Sequence, residues 1–252
     1  MKIQTIAPLS VALAFVAPLS SHATLVGYSQ NFENLAHSDT GFGNTALSDD
    51  GWLVFANVYK TDGTPTYQYG PLPAPNGDIA FSGITLEQGG PQQGDRQLVV
   101  YSDYNNGSAH SSGDLVEALV YQQQTIGAGD VGSLWTFRFD AGRYEPFPLA
   151  APSTALAFIK TLDPANNYQA TGLSWVDMRA VGDWASYSLS LKITAGAGQI
   201  LQFGFANTAS NYTNSAVAYD NISLAPAPEP STYALMLSGL GLLGLAARRR
   251  KL

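Results

Sequence analysis

Histidine and carboxylate side chains are the groups of this chain that could act as general acids, bases or metal ligands. Within the segment that follows residue 23, the histidines are His37 and His110, and both lie in Ser-, Asn- and Gly-rich stretches that predict loops. Neither has the spacing of a metal-binding helix, and no G-x-S-x-G nucleophile motif is present. The 19 Asp and Glu residues could include a glycosidase-type pair, but no pattern indicates which two would face each other. The sequence therefore predicts no catalytic residues and a protein that is not an enzyme.

The C-terminal residues have the order of a membrane-processed tag. A Pro-Glu-Pro triplet at Pro228, Glu229 and Pro230 is followed by an apolar run over residues 233–247. The run ends at four consecutive cations, which are Arg248, Arg249, Arg250 and Lys251. Fifteen helical residues span about 22 Å, less than the roughly 30 Å hydrocarbon core of a bilayer. We therefore expect a Pro-rich linker at 226–232, then a short transmembrane helix at 233–252 whose basic end stays in the cytoplasm.

This order of triplet, apolar segment and basic stop resembles the PEP-CTERM sorting signal of Gram-negative bacteria. The resemblance implies that exosortase, a membrane protease, acts at the Pro-Glu-Pro triplet. It also implies an exported protein that the helix holds only transiently in the inner membrane. Its final place would be the cell envelope, the cell surface or the extracellular medium. Because the resembled system is associated with exopolysaccharide production, the implied setting is the extracellular polymer matrix.

The N-terminus predicts a cleavable signal peptide over residues 1–23. Lys2 is followed by an apolar stretch from Ile3 to Leu19 and then by Ser21-His22-Ala23. The small residues at Ser21 and Ala23 suit a signal peptidase, with cleavage between Ala23 and Thr24. Both ends of the chain thus indicate export.

The segment between these ends, residues 24–225, is long enough for one sizeable domain. It carries 7 Lys and Arg against 18 Asp and Glu, a formal net charge of −11. This charge argues against nucleic acid and anionic membrane surfaces as partners of the domain, and it suits calcium or neutral polar ligands. Because the chain has no cysteine, the domain needs a true hydrophobic core, a metal, or both.

Alternating polar and apolar residues predict β-strands through this domain. The alternation is clearest at 186–193, at 135–140 and at 201–205. Further strands are expected at 52–59, 79–86, 97–103, 155–160 and 216–224, separated by Gly-, Asn- and Asp-rich turns. Residues 71–75 are expected to form a loop, and segment 114–124 could be a strand or a short helix, because Asp114 and Glu117 could form a capping box. The predicted fold is all-β, a single jelly-roll-like β-sandwich.

The two ends of the domain resemble those of jelly-roll carbohydrate-binding modules. The domain begins with Gln-Asn-Phe-Glu-Asn at 30–34 and ends with Asp-Asn-Ile-Ser-Leu at 220–224, and Asp-Asp-Gly-Trp at 49–52 resembles the early loop of that pattern. Many such modules hold a structural calcium where the first and last strands meet. The resemblance implies that Glu33 and Asp220 are calcium ligands, with further oxygens from Asp49 or Asp50. Calcium takes six to eight oxygens, which acidic loops can supply.

If the domain binds sugar, an aromatic platform beside hydrogen-bonding groups is needed. The densest combination of rings and polar groups is at Tyr101, Asp103, Tyr104 and Asn105, which are the predicted ligand-binding residues. Other aromatic residues also lie in stretches with a loop-like sequence: Tyr67, Tyr69, Tyr168, Trp175 and Tyr212.

Two functions remain open from sequence. The first is an exported β-sandwich protein of the cell surface or matrix that binds glycan or forms matrix structure without catalysis. The alternative is a secreted polysaccharide-active enzyme, a hydrolase or lyase, that uses carboxylates or His110 with a tyrosine on a sheet face.

Overall fold

The computed structural model describes residues 24–37, 44–77, 81–101, 113–209 and 215–227. Within these ranges the chain forms twelve β-strands, one short α-helix and two 3-10 turns. The helix α1 is Ala46–Asp49, and the 3-10 turns are Ala128–Asp130 and Pro164–Asn166. The strands are β1 Tyr28–Gln30, β2 Leu53–Tyr59, β3 Pro65–Pro73, β4 Ser82–Leu86, β5 Arg96–Tyr101, β6 Leu115–Thr125, β7 Leu134–Arg143, β8 Thr154–Asp163, β9 Gln169–Asp177, β10 Ala185–Lys192, β11 Ile200–Ala209 and β12 Ala216–Pro226.

The strands form two antiparallel sheets that pack face to face. Sheet 1 has the order β10-β7-β12-β5-β4, and β1 also pairs with β12. Sheet 2 has the order β3-β2-β6-β11-β8-β9. Side chains from the inner faces of both sheets build one large core. The predicted all-β sandwich is therefore confirmed.

Three segments complete or correct the sequence expectations. Segment 114–124 is a strand, β6, rather than a helix. The loop expected at 71–75 is wrong in part, because β3 continues to Pro73 at the edge of sheet 2. Tyr67, Tyr69 and Trp175, which were expected in or beside loop-like stretches, lie within the two edge strands β3 and β9. The prolines of β3 are tolerated because one side of an edge strand's backbone makes no hydrogen bonds to a neighbouring strand.

Strand β12 lies in the middle of sheet 1 and carries a β-bulge. Its first half pairs with β5 and its second half with β1, while β7 lies along its other side. The register with β7 shifts between Asp220 and Ser223. Before the bulge Tyr219 faces the core, and after it Ile222 and Leu224 do so. The bulge thus reverses the alternation and places Ser223 on the outer face of sheet 1.

The core is rich in aromatic rings, and the chain has no cysteine to form disulfides. Phe205 stacks on Tyr219 with ring centroids 3.6 Å apart, and Trp52 lies parallel to Phe205 at 6.4 Å. Phe137 packs against Phe139 at 4.9 Å. Each such side chain contributes roughly 1.5–3 kcal/mol when it is fully buried. The expectation that a cysteine-free chain needs a true core agrees with this packing.

Tyr219 brings a polar group into this core without a partner. Its side chain is fully buried, and its hydroxyl has no hydrogen-bond partner within the described residues. A buried unpaired hydroxyl costs about 1–3 kcal/mol. We therefore expect Tyr219→Phe to raise the free energy of unfolding by about 1 kcal/mol, measured by denaturant titration. Tyr28→Phe is the matched control and should lower it, because the Tyr28 hydroxyl donates to Asp50 and accepts from Trp52. A less stable Tyr219→Phe protein would contradict the prediction.

Both ends of the described chain are held beside the start of β7. The backbone N–H of Leu25 donates to the Asp130 carboxylate at 3.0 Å. The backbone N–H of Ala227 donates to the Leu134 carbonyl at 2.7 Å. The chain therefore enters and leaves the sandwich at one end. Within the described residues, no helix has the length and apolar character to cross a membrane, and the expected tail helix lies outside them.

Candidate functional site

Asp220 is a buried carboxyl group on the outer face of sheet 1. Its side chain is fully buried, and one carboxylate oxygen, Oδ2, has no hydrogen-bond partner within the described residues. The other oxygen accepts the backbone N–H of Asn221. Asp140 lies directly opposite Asp220 in the β7–β12 pairing. The bulge thus leaves a carboxylate oxygen with unused hydrogen-bonding capacity beside a second carboxylate.

The β4–β5 loop, residues 87–95, covers this carboxylate pair. The Gln93 side chain donates to Asp140 Oδ2 at 2.8 Å. The Asn221 side chain donates both to Asp140 Oδ2 at 2.8 Å and to the Gln92 carbonyl at 3.0 Å. The Trp184 indole donates to the Gln88 carbonyl at 2.9 Å. The loop is therefore fixed over the sheet by side chains of β7, β12 and the loop before β10.

Glu33 lies beside the same loop. One oxygen of its carboxylate, Oε1, accepts the backbone N–H groups of Asp95 and Arg96, each at 2.9 Å. The negative charge of Glu33 is also felt at Asp220, where it raises the pKa. The structure thus brings two of the predicted calcium ligands, Glu33 and Asp220, into one electrostatic group.

The carboxyl groups of Asp220 and Asp140 differ in their acidity. The pKa of Asp220 is raised to about 7: burial is the main cause, the Asn221 backbone N–H lowers it in part, and the charges of Glu33 and Asp140 also raise it. Burial would also raise the pKa of Asp140. Hydrogen bonds from Ser186, Asn221 and Gln93 outweigh that effect, so the pKa of Asp140 is lowered. Asp140 is therefore the ionised member of the pair, while Asp220 has too few hydrogen bonds to offset the cost of burying its charge.

The other two predicted calcium ligands make contacts elsewhere. The Thr45 hydroxyl donates to Asp49 at 2.7 Å, at the first turn of α1. The Asp50 carboxylate accepts from the Tyr28 hydroxyl at 2.6 Å and from the Trp52 indole at 3.2 Å. In the described part of the chain, no group of three or more His, Cys, Asp or Glu side chains is arranged to hold a metal ion. A cation at Asp220 would thus need carbonyl or water oxygens in addition to carboxylates.

The predicted ligand-binding residues are only partly described. Tyr101 is buried on the outer face of sheet 1, where its ring meets Tyr144 edge-on at 6.0 Å. Asp103, Tyr104 and Asn105 lie outside the described residues, as does His110. His37 is half-buried, and its carbonyl accepts from Asn44. The binding role of this group remains a prediction.

A different set of aromatic rings lies together on the outer face of sheet 2. The strand register places four residues in one row across four neighbouring strands: Tyr121, Gly204, Phe158 and Trp175. Tyr121 and Phe158 pack with Leu119 and Ala206 in one apolar cluster. Trp175, at the edge of the row, is 57% exposed. We call this row and its flanking residues the aromatic face.

Gly204 leaves a gap in the middle of this row. A Cβ atom at this position would lie 2.7 Å from the Tyr121 Cα atom, so the close approach of β11 to β6 requires glycine. The rings of Tyr121 and Phe158 are therefore separated by a position that has no side chain.

Polar side chains line one flank of the aromatic row. The next row along the strands consists of Gln123, Gln202, Lys160 and Leu173. Gln202 donates to Gln123 at 3.0 Å, and the Lys160 ammonium lies 4.5 Å from the centroid of the Phe158 ring. Burial lowers the pKa of Lys160 to about 8, while the charge of Glu117 raises it in part. The face thus combines the exposed ring of Trp175, the buried rings of Tyr121 and Phe158, amides and one cation. An exposed ring beside hydrogen-bonding groups is the chemistry that binds a hydroxyl-rich ligand.

Sequence reasoning missed this face because its members lie on four separate strands. Trp175 and Phe158 are 17 positions apart, and Tyr121 is a further 37 positions away. The polar–apolar alternation of β8 and β11 predicts on which face of the sheet each residue lies. It does not show which residues are neighbours, because that depends on the strand register.

The tail motif lies outside the described residues, and a sequence comparison decides its nature. Residues 226–251 match the PEP-CTERM protein-sorting motif. The chain carries a PEP-CTERM sorting motif. This motif implies a protein that is exported to the cell envelope or surface and processed by exosortase, a membrane protein. The predicted recognition of the tail is therefore confirmed, whereas the signal peptide at 1–23 remains a prediction.

Comparisons of the PEP-CTERM chain as a whole give distant similarities. No curated protein matches it in sequence. In structure it is similar to a family 11 carbohydrate-binding module of a cellulosomal cellulase of Clostridium thermocellum, with a TM-score of 0.38 and 11% identity over 82% of this chain and 98% of that one. A Stig cyclase from Fischerella sp. TAU gives a TM-score of 0.42 and 16% identity over 81% and 99% of the two chains.

A third structural match is to part of a much longer protein. The enzymatically active domain of tailspike protein 4 of bacteriophage CBA120 gives a TM-score of 0.44 and 13% identity over 76% of this chain. The chain spans about a fifth of that protein's length, since 21% of it is covered. Binding modules and enzymes thus both occur among the similar structures.

Proposed function

We propose that the protein binds glycan at the aromatic face of sheet 2 while it is displayed at the cell envelope or surface. The observation that carries this proposal is the cross-strand row that ends in the exposed ring of Trp175, with amides and Lys160 directly alongside. A pyranose ring presents an apolar face to an aromatic ring and hydroxyl groups to amides. The binding requires no catalytic group. The location follows from the sorting motif.

A neutral glycan suits the surroundings of this face. The domain has a net charge of −11, and Glu117 lies near enough to affect the pKa of Lys160. At this face an extended anionic polymer would meet the negative charges of Glu117 and the domain, with Lys160 as the single cation of the row to offset them. The single cation on the row can donate to sugar hydroxyls or ether oxygens.

Removing the Trp175 ring tests the proposal. On an array of neutral gluco-, xylo- and galacto-oligosaccharides, we expect the full chain in detergent to bind at least one set. Trp175→Ala should then weaken that binding at least tenfold, as is typical of an aromatic residue that makes the main ring contact with a ligand. Because Trp175 is exposed, the thermal unfolding midpoint of the Trp175→Ala protein should differ little from that of the unchanged chain.

Phe147→Ala is the matched control, since Phe147 is another exposed aromatic residue, 38% accessible, outside the aromatic face. Equal binding by the two variants would overturn the proposal. The release of shorter or unsaturated sugars from a bound oligosaccharide would instead support the enzyme alternative.

Calcium at Asp220 is the second part of the proposal. A cation would bind the fully buried Oδ2 of Asp220, which has no hydrogen-bond partner within the described residues. The negative charge of Glu33, which raises the pKa of Asp220, would attract the cation to the same place. Calcium would neutralise the two carboxylates and hold the end of β1 against β12 and the β4–β5 loop. Asp49 and Asp50 would belong to this site only through oxygens that their present hydrogen bonds leave free.

A further inference from the structure

Two concavities on the outer face of sheet 1 join into one groove. The first has a volume of about 570 Å³ and lies along β1 and the residues that follow it. The second has a volume of about 390 Å³ and lies over β7 and β10. Both are lined by Asn221 and Ser223 of the β12 bulge. We call the combined depression the polar groove. It lies on the side of the sandwich opposite to the aromatic face.

The floor of the polar groove is a row of hydroxyl groups interrupted by one cation. The strand register aligns Ser188 of β10, Arg138 of β7, Ser223 of β12 and Ser29 of β1. Neighbouring strands are about 4.8 Å apart, so the row is about 14 Å long. Asn31 and Asn34 extend the lining beyond β1 with amide groups. Such a surface offers hydrogen bonds along its length, and the second concavity adds apolar lining where Phe139 and Tyr187 border it.

The β12 bulge is what gives the groove its shape. Asn221 has a φ angle of +47°, a left-handed conformation that asparagine tolerates better than most residues. Its side chain is fixed by the hydrogen bonds to Asp140 and to the Gln92 carbonyl. Because the bulge reverses the alternation of β12, Ser223 lies on the outer face beside Arg138. Bulges with this effect are over-represented next to functional sites.

Arg138 is the cation of the groove, and in the described part of the chain it is not paired with an acidic side chain. It is exposed, and within the described residues its guanidinium makes no hydrogen bond or ion pair. The other described arginines do have partners: Arg96 donates to the Glu33 carbonyl, Arg143 pairs with Glu145 and Arg179 pairs with Asp177. The Asp140 carboxylate borders the groove, but its oxygens already accept from Ser186, Gln93 and Asn221. Arg138 is therefore available to an anion.

We propose that the polar groove is a second saccharide site, which takes a carboxylated sugar whose carboxylate pairs with Arg138. A guanidinium group binds a carboxylate through two parallel hydrogen bonds. The serine and asparagine side chains alongside it supply partners for the sugar hydroxyls. The ligand differs from the neutral glycan of the aromatic face, so the two sites are independent and lie on opposite sides of the molecule.

Trigalacturonate and its fully methyl-esterified form are the probes. Esterification removes the charge and leaves the hydroxyl groups in place. By titration calorimetry on the full chain in detergent, we expect trigalacturonate to bind and the ester to bind at least tenfold more weakly. Higher salt should weaken the binding of trigalacturonate, because the pairing with Arg138 is exposed to solvent.

Arg138→Gln should weaken the binding of trigalacturonate at least tenfold. Arg143→Gln is the matched control, since it removes one arginine from the same strand outside the groove and should leave binding unchanged. Trp175→Ala should also leave it unchanged, which separates this site from the aromatic face. Equal effects of Arg138→Gln and Arg143→Gln, equal binding of the acid and its ester, or no binding of the acid would each overturn the proposal. An effect of Trp175→Ala alone would assign the acid to the aromatic face and overturn it as well.

Discussion

Asp220→Asn is expected to make the calcium-free protein more stable than the unchanged chain at pH 8, and to remove its response to calcium. The amide side chain has nearly the same shape as the carboxylate that it replaces but carries no charge. In chelator, the unchanged chain must keep an ionised carboxylate buried beside Asp140 and near Glu33 at this pH. The amide avoids that cost, because it is neutral at every pH of interest.

The pH dependence of this effect has a definite sign. The pKa of Asp220 is about 7 in the folded protein and 3.8 in its ordinary state, so folding favours the protonated form. The contribution of the protonated Asp220 to the free energy of unfolding is complete below pH 3.8 and is lost as the pH rises through about 7. In chelator, the unchanged chain should therefore lose stability between pH 4 and pH 8 relative to Asp220→Asn. At pH 4 the two proteins should be nearly equal.

Calcium should reverse the order at pH 8. A ligand present at a thousand times its dissociation constant stabilises the folded state by about 4 kcal/mol. The unchanged chain should therefore show a large rise in its unfolding midpoint, while Asp220→Asn shows little. Calcium should help less at pH 5, because it competes with the proton on Asp220.

Thermal unfolding in calcium and in chelator at pH 4, 6 and 8 measures all of these effects. Asp183→Asn is the control, since it removes one carboxylate from an exposed position. A calcium response that survives in Asp220→Asn would rule out the metal site. A midpoint of the unchanged chain that is the same with and without calcium would also rule it out.

Replacing Glu229 by Gln is expected to have an all-or-none effect on delivery. The substitution keeps the length and the two prolines of the motif and removes only its charge. In cells that have exosortase, we expect the variant to stay full length and membrane-bound, while the unchanged chain is cut and leaves the membrane fraction. The physical reason is that the uncut apolar run and the cations at 248–251 hold the chain in the bilayer.

Mass measurement of the protein in membrane and released fractions decides this outcome. Ser231→Ala is the control, because it changes a neighbouring residue and leaves the triplet intact. A Glu229→Gln protein that is processed at the normal rate would contradict the assignment of the triplet as the recognised element.

The fold could be predicted where polar and apolar residues alternate regularly along a strand. Strands β7, β10 and β11 show regular alternation, and each has its expected inner residues in the core. The edge strands β3 and β9 could not be predicted in this way. A strand at the edge of a sheet keeps many side chains in water on both faces, so its pattern of polar and apolar residues is weak. In β3 the prolines and Gly70 also obscure the pattern.

The candidate sites could be predicted only where their residues share a local signal. Glu33 and Asp220 are implied by the resemblance of the domain's two ends to carbohydrate-binding modules, in which the first and last strands are neighbours. Asp140 belongs to the same group but comes 80 positions before Asp220, and nothing in its own strand distinguishes it. The row from Tyr121 to Trp175 and the row from Ser188 to Ser29 exist only through strand register. Of the expected platform only Tyr101 is described, as a buried residue of β5, so the platform itself stays a prediction.

The chain enters and leaves the sandwich at one end, and this bears on how the domain is presented when its C-terminal tail is attached to a surface. An attachment through residue 228 onward would follow directly on Ala227, which lies next to the start of β7 at one end of the strands. Contact with a support at that end would leave both outer faces of the sandwich uncovered. The aromatic face and the polar groove would then both be accessible to polymers, on opposite sides of the domain.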